Sequence, residues 1–402
     1  MNAKDARTPR LRFPNAVGAW EPSKGGDAFD QRRERGEDGL PLYSVTIEQG
    51  MVRRDSLDRE IASGMADEAN LRVNKNDLAY NMMRMWQGAV GRAPEDCMVS
   101  PAYVVLAPKA DTVPAFFEHW FKRARSLYLL GAYSYGLTSD RLRLYFRDFA
   151  KVPMSLPDGA EQQKIADFLG AVDTYIAILE RKADAIRRYK RELARRLFTR
   201  ELRFSQKDGS SYPDWTEVHL RDVASFAKGR GLPKDDIHLG GRTPCIRYGE
   251  LYTVYDERIE YVVSSTNVPE RQLLLSEAGD VILPASGETP LDMASASFVA
   301  QAGIAIGGDI NVIRPSIDGL FLAYMLRGPM RRSVGRLAQG NSVVHLYGSH
   351  LAGLKFAIPE NIEEQQRIAT ALSAVDSKIK ATSAMTSAML TFKKALIQQM
   401  FV

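Results

Sequence analysis

The chain has 402 residues, more than one hydrophobic core usually serves, so we expect at least two domains. Its residues are 45% hydrophobic and 26% charged, as is typical of a soluble globular protein, and no run reaches the roughly 18 apolar residues that a membrane-spanning helix needs. The net charge of +5 is by itself only weak support for a nucleic-acid partner.

The cysteines and the N-terminal sequence indicate the compartment. Cys97 and Cys245 are the only cysteines and lie far apart, which argues against a disulfide framework or a cysteine-based zinc site. The start, MNAKDARTPRLRF, has no apolar segment of the kind found in a secretory signal. We therefore expect a protein of the reducing cytoplasm.

Residues 1–157 are predicted to form a first globule of mixed helix and strand. The apolar segment 100–108 predicts a strand, and 114–124 predicts a short amphipathic helix. Polar and basic side chains on the loops between such elements are the donors that read base edges and hold phosphates. Each one, taken singly, is more often an ordinary surface residue. The DNA-binding candidates here are Arg53, Arg54, Arg84, Gln87, Tyr135, Ser139 and Arg141.

Residues 158–203 are predicted to form a long helix that opens with EQQKIADFLGAVD (161–173). Apolar residues recur at alternate steps of four and three, which is the heptad pattern of a coiled coil. The seam comprises Ile165, Leu169, Val172, Ile176, Leu179, Ile186 and Leu193, with Lys190 as a polar member. Residues 181–203 contain ten Arg or Lys and three Asp or Glu. Such a stretch either follows phosphates or is a solvated or partner-facing helix surface.

Residues 204–359 are predicted to form a second globule that echoes the first. An apolar segment ending in proline recurs at 308–315, and a short amphipathic helix recurs at 319–329. Its loops also carry polar and basic side chains. The DNA-binding candidates here are Lys228, Arg230, Arg242, Arg247, Ser286, Asn341, Ser342 and His345.

Residues 360–402 are predicted to form a second long helix, because EQQRIATALSAVD (364–376) repeats the first helix opening at an offset of 203 residues. The register is kept for about forty residues, which indicates helices of equal length. Its seam comprises Ile368, Leu372, Val375, Ile379, Met389 and Leu396, and it is interrupted by Thr382, Thr386 and Lys393.

The repeat predicts the architecture. One long helix cannot bury its seam alone, and the other helix is the obvious partner. Antiparallel pairing would place the globules at opposite ends of a rod of roughly 55–60 Å, whereas parallel pairing would crowd them at one end. The predicted fold class is α+β, with two mixed α/β globules separated by a two-helix antiparallel coiled coil and an internal pseudo-two-fold repeat.

Motifs for catalysis are absent from the sequence. It contains no phosphate-binding P-loop, no G-x-S-x-G, no H-E-x-x-H and no Asn-Pro-Pro-aromatic stretch of the amino-methyltransferases. His345 and His350 are five residues apart, which is not same-face helical spacing, and no acidic or cysteine cluster accompanies them. We expect no catalytic residue and no metal site.

The chain resembles the DNA specificity subunits of type I restriction–modification systems. The resemblance rests on the run from Pro157 to Asp173, on its copy from Pro359 to Asp376, and on the central region YKRELARRLFTRELRF with DGSSYPDW. The segments LPLYSVTIEQGMVRRDSLDR (40–59) and TPCIRYGELYT (243–253) resemble the openings of the family's target recognition domains, and the resemblance covers nearly the whole chain.

The resemblance implies a mechanism. Each target recognition domain would read one half of an asymmetric, bipartite site in double-stranded DNA, and the paired helices would fix the gap between the halves. Two methyltransferase subunits would dock on the chain, and motor–nuclease subunits would join them. The chain itself would bind no cofactor, since S-adenosylmethionine, ATP and Mg would be used by the partner subunits. No membrane partner is implied.

Three alternatives stay open. The chain is a coiled-coil assembly protein whose globules bind proteins, an enzyme with an unrecognised site, or a reader in a methylation-only system that lacks the nuclease. Salt-sensitive binding of duplex DNA would argue against the first. Methylation by the isolated chain would favour the second.

Overall fold

The computed structural model describes residues 8–56, 70–138, 141–238, 240–340 and 343–402. The chain divides into two compact units: unit 1 comprises the chain up to Arg181 together with Ser383–Val402, and unit 2 comprises Lys182–Thr382. Each unit therefore holds one globule, the first part of one long helix and the last part of the other. Because this division cuts both helices, it does not test the domain boundaries predicted from the sequence, which stay a prediction.

In the part of unit 1 that the structure describes, short strands form two four-stranded sheets and one two-stranded sheet. The first sheet has the order β2-β9-β6-β7, the second has the order β4-β3-β8-β5, and β1 pairs with β10. The strands are β1 (Glu21–Lys24), β2 (Phe29–Arg32), β3 (Leu42–Thr46), β4 (Gly50–Arg53), β5 (Leu71–Val73), β6 (Leu78–Asn81), β7 (Val90–Arg92), β8 (Cys97–Val99), β9 (Tyr103–Pro108) and β10 (Pro153–Leu156).

The helices of unit 1 are short until the first long one begins. They are α1 (Gly25–Ala28), α2 (Pro114–Trp120), α3 (Ala124–Ala132), α4 (Phe146–Phe149) and the long α5 (Gly159–Phe198). Asp158 precedes α5, and its carboxylate accepts a hydrogen bond from the Glu161 backbone N–H at 2.8 Å. This contact satisfies one of the free amides at the helix start and fixes where the helix begins.

The described residues of unit 2 form two five-stranded sheets, with the orders β12-β22-β18-β20-β15 and β13-β16-β14-β21-β17, and two two-stranded sheets, β11-β24 and β19-β23. Its strands are β11 (Trp215–His219), β12 (Ala224–Lys228), β13 (Ile237–His238), β14 (Thr243–Ile246), β15 (Arg258–Ile259), β16 (Ser264–Thr266), β17 (Leu274–Leu275), β18 (Val281–Pro284), β19 (Ser286–Gly287), β20 (Ser297–Val299), β21 (Ala305–Ile306), β22 (Ile310–Pro315), β23 (Val344–His345) and β24 (Lys355–Pro359). Its helices are α6 (Leu220–Val223), α7 (Glu250–Thr253), α8 (Gly319–Arg327), α9 (Arg331–Leu337), α10 (Gly348–Ala352) and the start of the long α11 (Ile362–Met400).

The two globules share one plan. In unit 1 the antiparallel pair β2 and β9 aligns Phe29 with Pro108, and in unit 2 the pair β12 and β22 aligns Ala224 with Pro315. The strand that enters each globule pairs with the strand that leaves it, β1 with β10 and β11 with β24. The repeat that the sequence predicted thus extends from the long helices to the order and pairing of the strands.

Each unit buries the start of one long helix against the end of the other. In unit 1, Ile165 and Leu169 of α5 share a core with Leu396 and Met400 of α11. In unit 2, Leu372 of α11 shares a core with the end of α5. The two helices, of 40 and 39 residues, therefore pair in antiparallel fashion within each unit. The predicted fold class is confirmed.

Within the described residues, no helix combines the length and the apolarity that crossing a membrane requires.

Candidate nucleic-acid interface

A buried glutamate at the start of each long helix is held by an arginine of the segment before the globule. Nε and Nη2 of Arg12 donate to Glu161, each at 2.7 Å, and the same atoms of Arg203 donate to Glu364 at 3.1 and 3.0 Å. The hydrogen bonds to these glutamates raise the pKa of both arginines. Because a two-point pair fixes orientation as well as charge, these contacts set how each globule meets its helix.

The glutamine that follows each glutamate is also buried and joins the helix to the globule. Gln162 accepts from the backbone N–H of Val113 at 3.0 Å and donates to the Pro157 carbonyl at 3.0 Å. Gln365 accepts from the N–H of Asp318 at 2.9 Å and donates to the Pro359 carbonyl at 2.7 Å. The Glu-Gln pair of the repeated motif is therefore a joint between helix and globule.

The seam of each helix contains one lysine whose charge is balanced by carboxylates. Lys190 lies 2.6 Å from Asp376 and 2.8 Å from Glu257, and Lys393 forms the equivalent ion pair with Asp173. Burial lowers the pKa of Lys190, but the charges of Glu257 and Asp376 outweigh burial and raise it overall. Lys190 therefore remains charged within the helix pair at neutral pH.

Most of the predicted seam residues are buried. Those of α5 that are buried are Ile165, Leu169, Val172, Ile176 and Leu179, while Ile186 and Leu193 are half-buried. Those of α11 that are buried are Ile368, Leu372, Val375 and Leu396, while Ile379 and Met389 are half-buried. Thr382 is buried as well, and its hydroxyl donates to the Lys378 carbonyl at 2.8 Å, so a polar seam residue is satisfied within its own helix.

Unit 1 has a cleft of about 520 Å³, which none of the described candidates lines but to which two of the segments that carry them are linked through Met82. Arg84 and Gln87 are exposed on the tight turn after β6. Tyr135 pairs with Arg143 and closes a loop, which we call loop 1 and which includes the exposed Arg141. The N–H of Leu144, next in the chain, donates at 2.9 Å to the carbonyl of Met82, a residue that lines the cleft. Loop 1 and the Arg84 turn are therefore anchored beside the same cleft.

Two candidates of unit 1 lie elsewhere. Arg53 is exposed, but it pairs with Asp55 at 3.1 Å and with Glu95 at 3.8 Å. Arg54 is half-buried in the single turn of helix that follows β4. The neighbouring carboxylates compete for the Arg53 charge, so this pair is a weaker candidate for a phosphate contact than Arg84 or Arg141.

Unit 2 also has a loop that is closed by a backbone pair and lies next to a cleft, and we call it loop 2. His345 pairs with Gln339 and closes loop 2, and it also pairs with Ser286 across β19 and β23. Lys228 and His345 line a cleft of about 380 Å³, together with Tyr347. Ser286 is buried and lines a second cleft of about 610 Å³. Loop 2 occupies the place in unit 2 that loop 1 occupies in unit 1.

Three arginines of unit 2 lie at the ends of strands. Arg230 bridges to Gly307, whose N–H donates to the carbonyl of Ile246 at 2.8 Å, immediately before Arg247. A side chain at position 307 would meet that carbonyl at 2.9 Å, so a glycine allows this close approach. Arg230 and Arg247 are thereby brought together by the backbone, whereas the exposed Arg242 precedes β14.

The remaining candidates, Ser139, Asn341 and Ser342, lie outside the described residues.

Six candidate cations share a useful property. None of them forms an ion pair with a carboxylate among the described residues, so their charge is available to an anionic ligand. They are Arg84, Arg141, Lys228, Arg230, Arg242 and Arg247. Because these cations have no internal ion pair, no such pair has to be broken before they bind a phosphate.

The sequence reasoning missed two matched tyrosines at the clefts. Tyr145 precedes α4 and lines the cleft of unit 1, and Tyr347 precedes α10 and lines the equivalent cleft of unit 2. The alignment of DFAKVPMSLP with HLAGLKFAIP, extended three residues toward the N-terminus, would have found this pair. Arg33 and Arg147 also line the cleft of unit 1.

The basic stretch 181–203 is partly neutralised. Lys190 and Arg203 are engaged in the contacts described above, Arg195 pairs with Glu192 and Glu201, and Arg187 pairs with Asp184. Hydrogen bonds to Glu192 and Glu201 raise the pKa of Arg195. Much of this charge therefore stabilises the helix and its joints, as the alternative interpretation of the stretch anticipated.

The described residues contain no group of three or more His, Cys, Asp or Glu side chains that could hold a metal ion. Cys97 and Cys245 are both buried and free, and burial raises the pKa of their thiols to about 12 and about 11.

Comparison with known proteins agrees with this arrangement. The family model described as the type I restriction modification DNA specificity domain matches twice, at residues 22–188 and 212–387. Among curated proteins, the chain is 21% identical over 249 residues to the type I restriction enzyme MjaVIII specificity subunit of Methanocaldococcus jannaschii, covering 58% of this chain and 57% of that protein. It is 25% identical over 240 residues to the putative MjaX specificity subunit of the same organism, covering 57% and 53%. The matches thus span about half the length of these relatives.

Solved structures show the same fold. The specificity subunit of a type I restriction–modification system from M. genitalium matches with a TM-score of 0.60 at 16% identity, over 98% of this chain and 99% of that one. A chain from a study of complex assembly and conformational transition of the type I system matches with a TM-score of 0.55 at 14% identity, over 97% and 99%. With both copies of its domain matched, this chain belongs to the type I restriction–modification DNA specificity family, which serves DNA recognition and not catalysis.

Proposed function

We propose that this chain is the DNA-reading subunit of a type I restriction–modification complex and that it recognises a bipartite, asymmetric site, one half with each unit. The observation that carries the proposal is that each unit has a closed loop near a cleft and cations that no described carboxylate neutralises. Lys228 lines the cleft of unit 2, whereas Arg84 and Arg141 lie on a turn and a loop that are linked through Met82 to the cleft of unit 1. Unpaired cations supply affinity for phosphates, and polar side chains beside them supply the reading of bases.

The equivalent positions of the two clefts carry different side chains, which supports two different half-sites. Arg143 closes loop 1 where His345 closes loop 2. The strand registers likewise place Val104 where unit 2 has Asn311. Arginine and histidine present different donors to a base edge, so the two units would select different sequences. Asn311 is buried and its amide donates to the Leu346 carbonyl at 2.9 Å, so it would act by holding the segment that carries His345 and Tyr347.

The partners and cofactors follow from the same proposal. Two methyltransferase subunits and motor–nuclease subunits would assemble on the chain, which would act in the cytoplasm, where its DNA lies. S-adenosylmethionine, ATP and Mg would be bound by those partners, and this chain would position them on the DNA. The paired helices α5 and α11 would set the gap between the half-sites.

The decisive experiment is to express the chain with its methyltransferase subunit in a host of known genome and to map methylated adenines by single-molecule sequencing. We expect one motif made of two short sequences separated by a fixed gap. Substitutions in loop 2 should change one half of the motif and leave the other half and the gap unchanged. An uninterrupted motif, or a change in both halves from one loop, would contradict the proposal.

Experiments on the isolated chain and on the assembled complex distinguish the alternative functions. Retardation of duplex DNA that weakens steeply with salt would not be expected of an assembly protein whose globules bind proteins. Methylation by the isolated chain with S-adenosylmethionine would indicate an enzyme. Cleavage of unmodified DNA by the assembled complex would distinguish a restriction system from a methylation-only one.

A further inference from the structure

The clefts of the two units lie at equivalent places in the repeat. In unit 1 the backbone N–H of Met82 donates to the carbonyl of Ala102 at 3.3 Å, and in unit 2 that of Ala285 donates to the carbonyl of Asp309 at 2.7 Å. Met82 lines the cleft of unit 1, and Ala285 lines the cleft of unit 2. Because the same backbone contact borders both clefts, the side chains at equivalent positions around them can be compared directly.

A cation lines each cleft at the same position. Phe29 starts β2 and Ala224 starts β12, and the strand registers align both with equivalent prolines. The residue after β2, Arg33, therefore corresponds to the last residue of β12, Lys228. Both side chains are exposed and line their clefts. Among the described residues, neither forms an ion pair with a carboxylate, so both charges are available to an anion.

A tyrosine lines each cleft together with the cation. These are the matched residues Tyr145 and Tyr347. The guanidinium of Arg147 lies 5.7 Å from the Tyr145 ring centroid, and the rings of His350 and Tyr347 lie 5.4 Å apart. A tyrosine hydroxyl can donate a hydrogen bond, and arginine and lysine bind phosphate through their charge and their N–H donors. A cation with a hydroxyl donor is a set that suits a phosphate.

The shared residues and the different residues of the clefts have different uses. Under the proposed function the two units select different half-sites, and the closing residues of their loops differ, Arg143 in loop 1 and His345 in loop 2. A feature that both units share cannot distinguish the two sequences. It suits what both half-sites have in common, which is the phosphate backbone, since phosphate contacts position a protein on DNA and base contacts specify the sequence.

One charge at the clefts is not shared. Asp309 is exposed and lines the cleft of unit 2 together with Lys228, where unit 1 has Ala102. No carboxylate lines the cleft of unit 1 in the part of the chain that the structure describes. The φ angle of Asp309 is 59°, a left-handed conformation that Asp and Asn adopt more readily than other side chains. A carboxylate near a bound phosphate repels it, so the two clefts differ in their attraction for an anion.

Resting on the proposed function, we propose that each cleft holds one backbone phosphate of the DNA and that Asp309 weakens the site of unit 2. In unit 1 the phosphate is bound by Arg33 and Tyr145. In unit 2 it is bound by Lys228 and Tyr347. Both sites hold the backbone whatever the base sequence, while loops 1 and 2 read the bases.

The carboxylate has a consequence for specificity. Phosphate contacts raise the affinity for matching and non-matching DNA alike. Asp309 lowers this common contribution in unit 2, so a larger share of the affinity of that unit depends on its base contacts. Unit 1 therefore holds DNA more firmly at its phosphate site, and unit 2 releases a sequence that it does not match.

The first test moves the carboxylate between the units. Affinity of the full chain is measured by fluorescence anisotropy for duplexes that carry one half of its methylated motif. Asp309→Asn removes the charge and keeps a residue that tolerates the left-handed backbone, so binding of the half-site of unit 2 should tighten about fivefold. A gain of affinity cannot result from misfolding. Ala102→Asp should weaken binding of the half-site of unit 1 about fivefold, and its neutral control Ala102→Asn should change it less than about twofold.

The second test removes each cation. Arg33→Gln and Lys228→Gln should each reduce the slope of log affinity against log salt by about 1 and lower the affinity for matching and non-matching duplexes by the same factor. The methylated motif should not change. Arg33→Lys and Lys228→Arg keep the charge and should restore the slope. Lys164→Gln, at an exposed lysine of α5 outside both clefts, is the matched control and should change the slope by less.

Three outcomes would overturn the inference while the DNA-reading proposal stands. The first is an unchanged salt slope in both Gln variants. The second is a change in one half of the methylated motif, because Arg33 or Lys228 would then read a base. The third is binding of adenosine monophosphate that Arg33→Gln abolishes without affecting DNA affinity, which would make the cleft a site for a free nucleotide. If the unsubstituted chain binds no DNA and directs no methylation, the proposed function itself is wrong.

Discussion

Lys190 of α5 lies 2.6 Å from Asp376 of α11, and the repeat produces the same relationship between Lys393 of α11 and Asp173 of α5. Each pair joins a seam lysine to the last aspartate of the repeated Glu-Gln-Gln motif on the other helix. A helix pair shifted by one heptad would leave these charges without partners. The seam lysines therefore specify the antiparallel register, a role for which polar seam residues are well suited.

Replacing Lys190 should cost more stability than replacing Lys393. Lys190→Met leaves Asp376 without a cation and Glu257 with only the more distant Arg327 at 4.0 Å. Because the side chains of both carboxylates are at least four-fifths buried, we expect a loss of about 3 kcal/mol in the free energy of unfolding. Lys393→Met frees only Asp173, whose side chain is 44% exposed, and should cost about 1 kcal/mol. Urea denaturation of the full chain gives both values, with the exposed Lys378→Met as control. Equal losses would contradict the assignment.

The Arg203–Glu364 joint makes a related prediction. Arg203→Leu strands a carboxylate whose side chain is 1% exposed and should destabilise unit 2 by about 3–5 kcal/mol. Glu364→Gln keeps an acceptor for Arg203 and removes the buried negative charge, so it should cost less, about 1–2 kcal/mol. Amide exchange in the peptides of β11 and β24 measures the effect locally. A larger loss for Glu364→Gln would show that the charge itself holds the joint.

The sequence predicted the long helices, but it did not predict the side-chain contacts that join them to the globules. The offset of 203 residues predicted two helices, their seam and their antiparallel pairing, because helical periodicity is a local property that a repeat reinforces. The partners of Glu161 and Glu364 lie 149 and 161 positions away, and sequence spacing alone does not identify contacts at that distance. Glu257, which binds Lys190, has no counterpart in the repeated motif.

The candidate site was likewise only partly predictable from the sequence. The loops that carry Arg84, Arg141 and Lys228 were recognisable from residue type, but their position beside clefts depends on the pairing of Tyr135 with Arg143 and of Gln339 with His345. Residue type likewise gave Arg53 the same weight as Arg84. Only the tertiary structure shows that Asp55 and Glu95 occupy the Arg53 guanidinium.

Substitution of the unpaired cations should weaken DNA binding in a way that salt titration can classify. Arg84→Ala and Lys228→Ala should each reduce the slope of log affinity against log salt by about 1 if the side chain contacts a phosphate, or cost about 1–3 kcal/mol for one base if it reads a base. Arg53→Ala, whose charge is already paired, is the matched control and should change the slope by less. If Arg53→Ala changed the slope as much as Arg84→Ala, the DNA interface would include the end of β4.

The buried His119 should make unit 1 sensitive to acid. Burial, with the nearby Lys393 charge, lowers the pKa of His119 from 6.5 to about 4. Between pH 6.5 and pH 4 the unfolded state therefore binds more protons at this residue than the folded state, so the stability it contributes at pH 7 is lost as pH falls through that window. His119→Gln should flatten this part of the pH dependence, measured by amide exchange in the α2 peptides. The exposed His345→Gln is the control and should leave the profile of unit 1 unchanged.

A proline in the seam tests whether a continuous helix sets the gap between half-sites. Ile176 is buried midway along α5, where proline removes a backbone hydrogen bond and clashes with the preceding turn at a cost of about 3 kcal/mol or more. Ile176→Pro should therefore abolish preference for the complete site. Because unit 2 begins at Lys182, beyond this position, binding of a duplex carrying only the half-site of unit 2 should change by less than about threefold. Ile176→Leu keeps the helix and the apolar volume and should retain the complete-site preference. If Ile176→Pro bound the complete site with unchanged affinity and unchanged gap length, the helix pair would not be what measures the DNA.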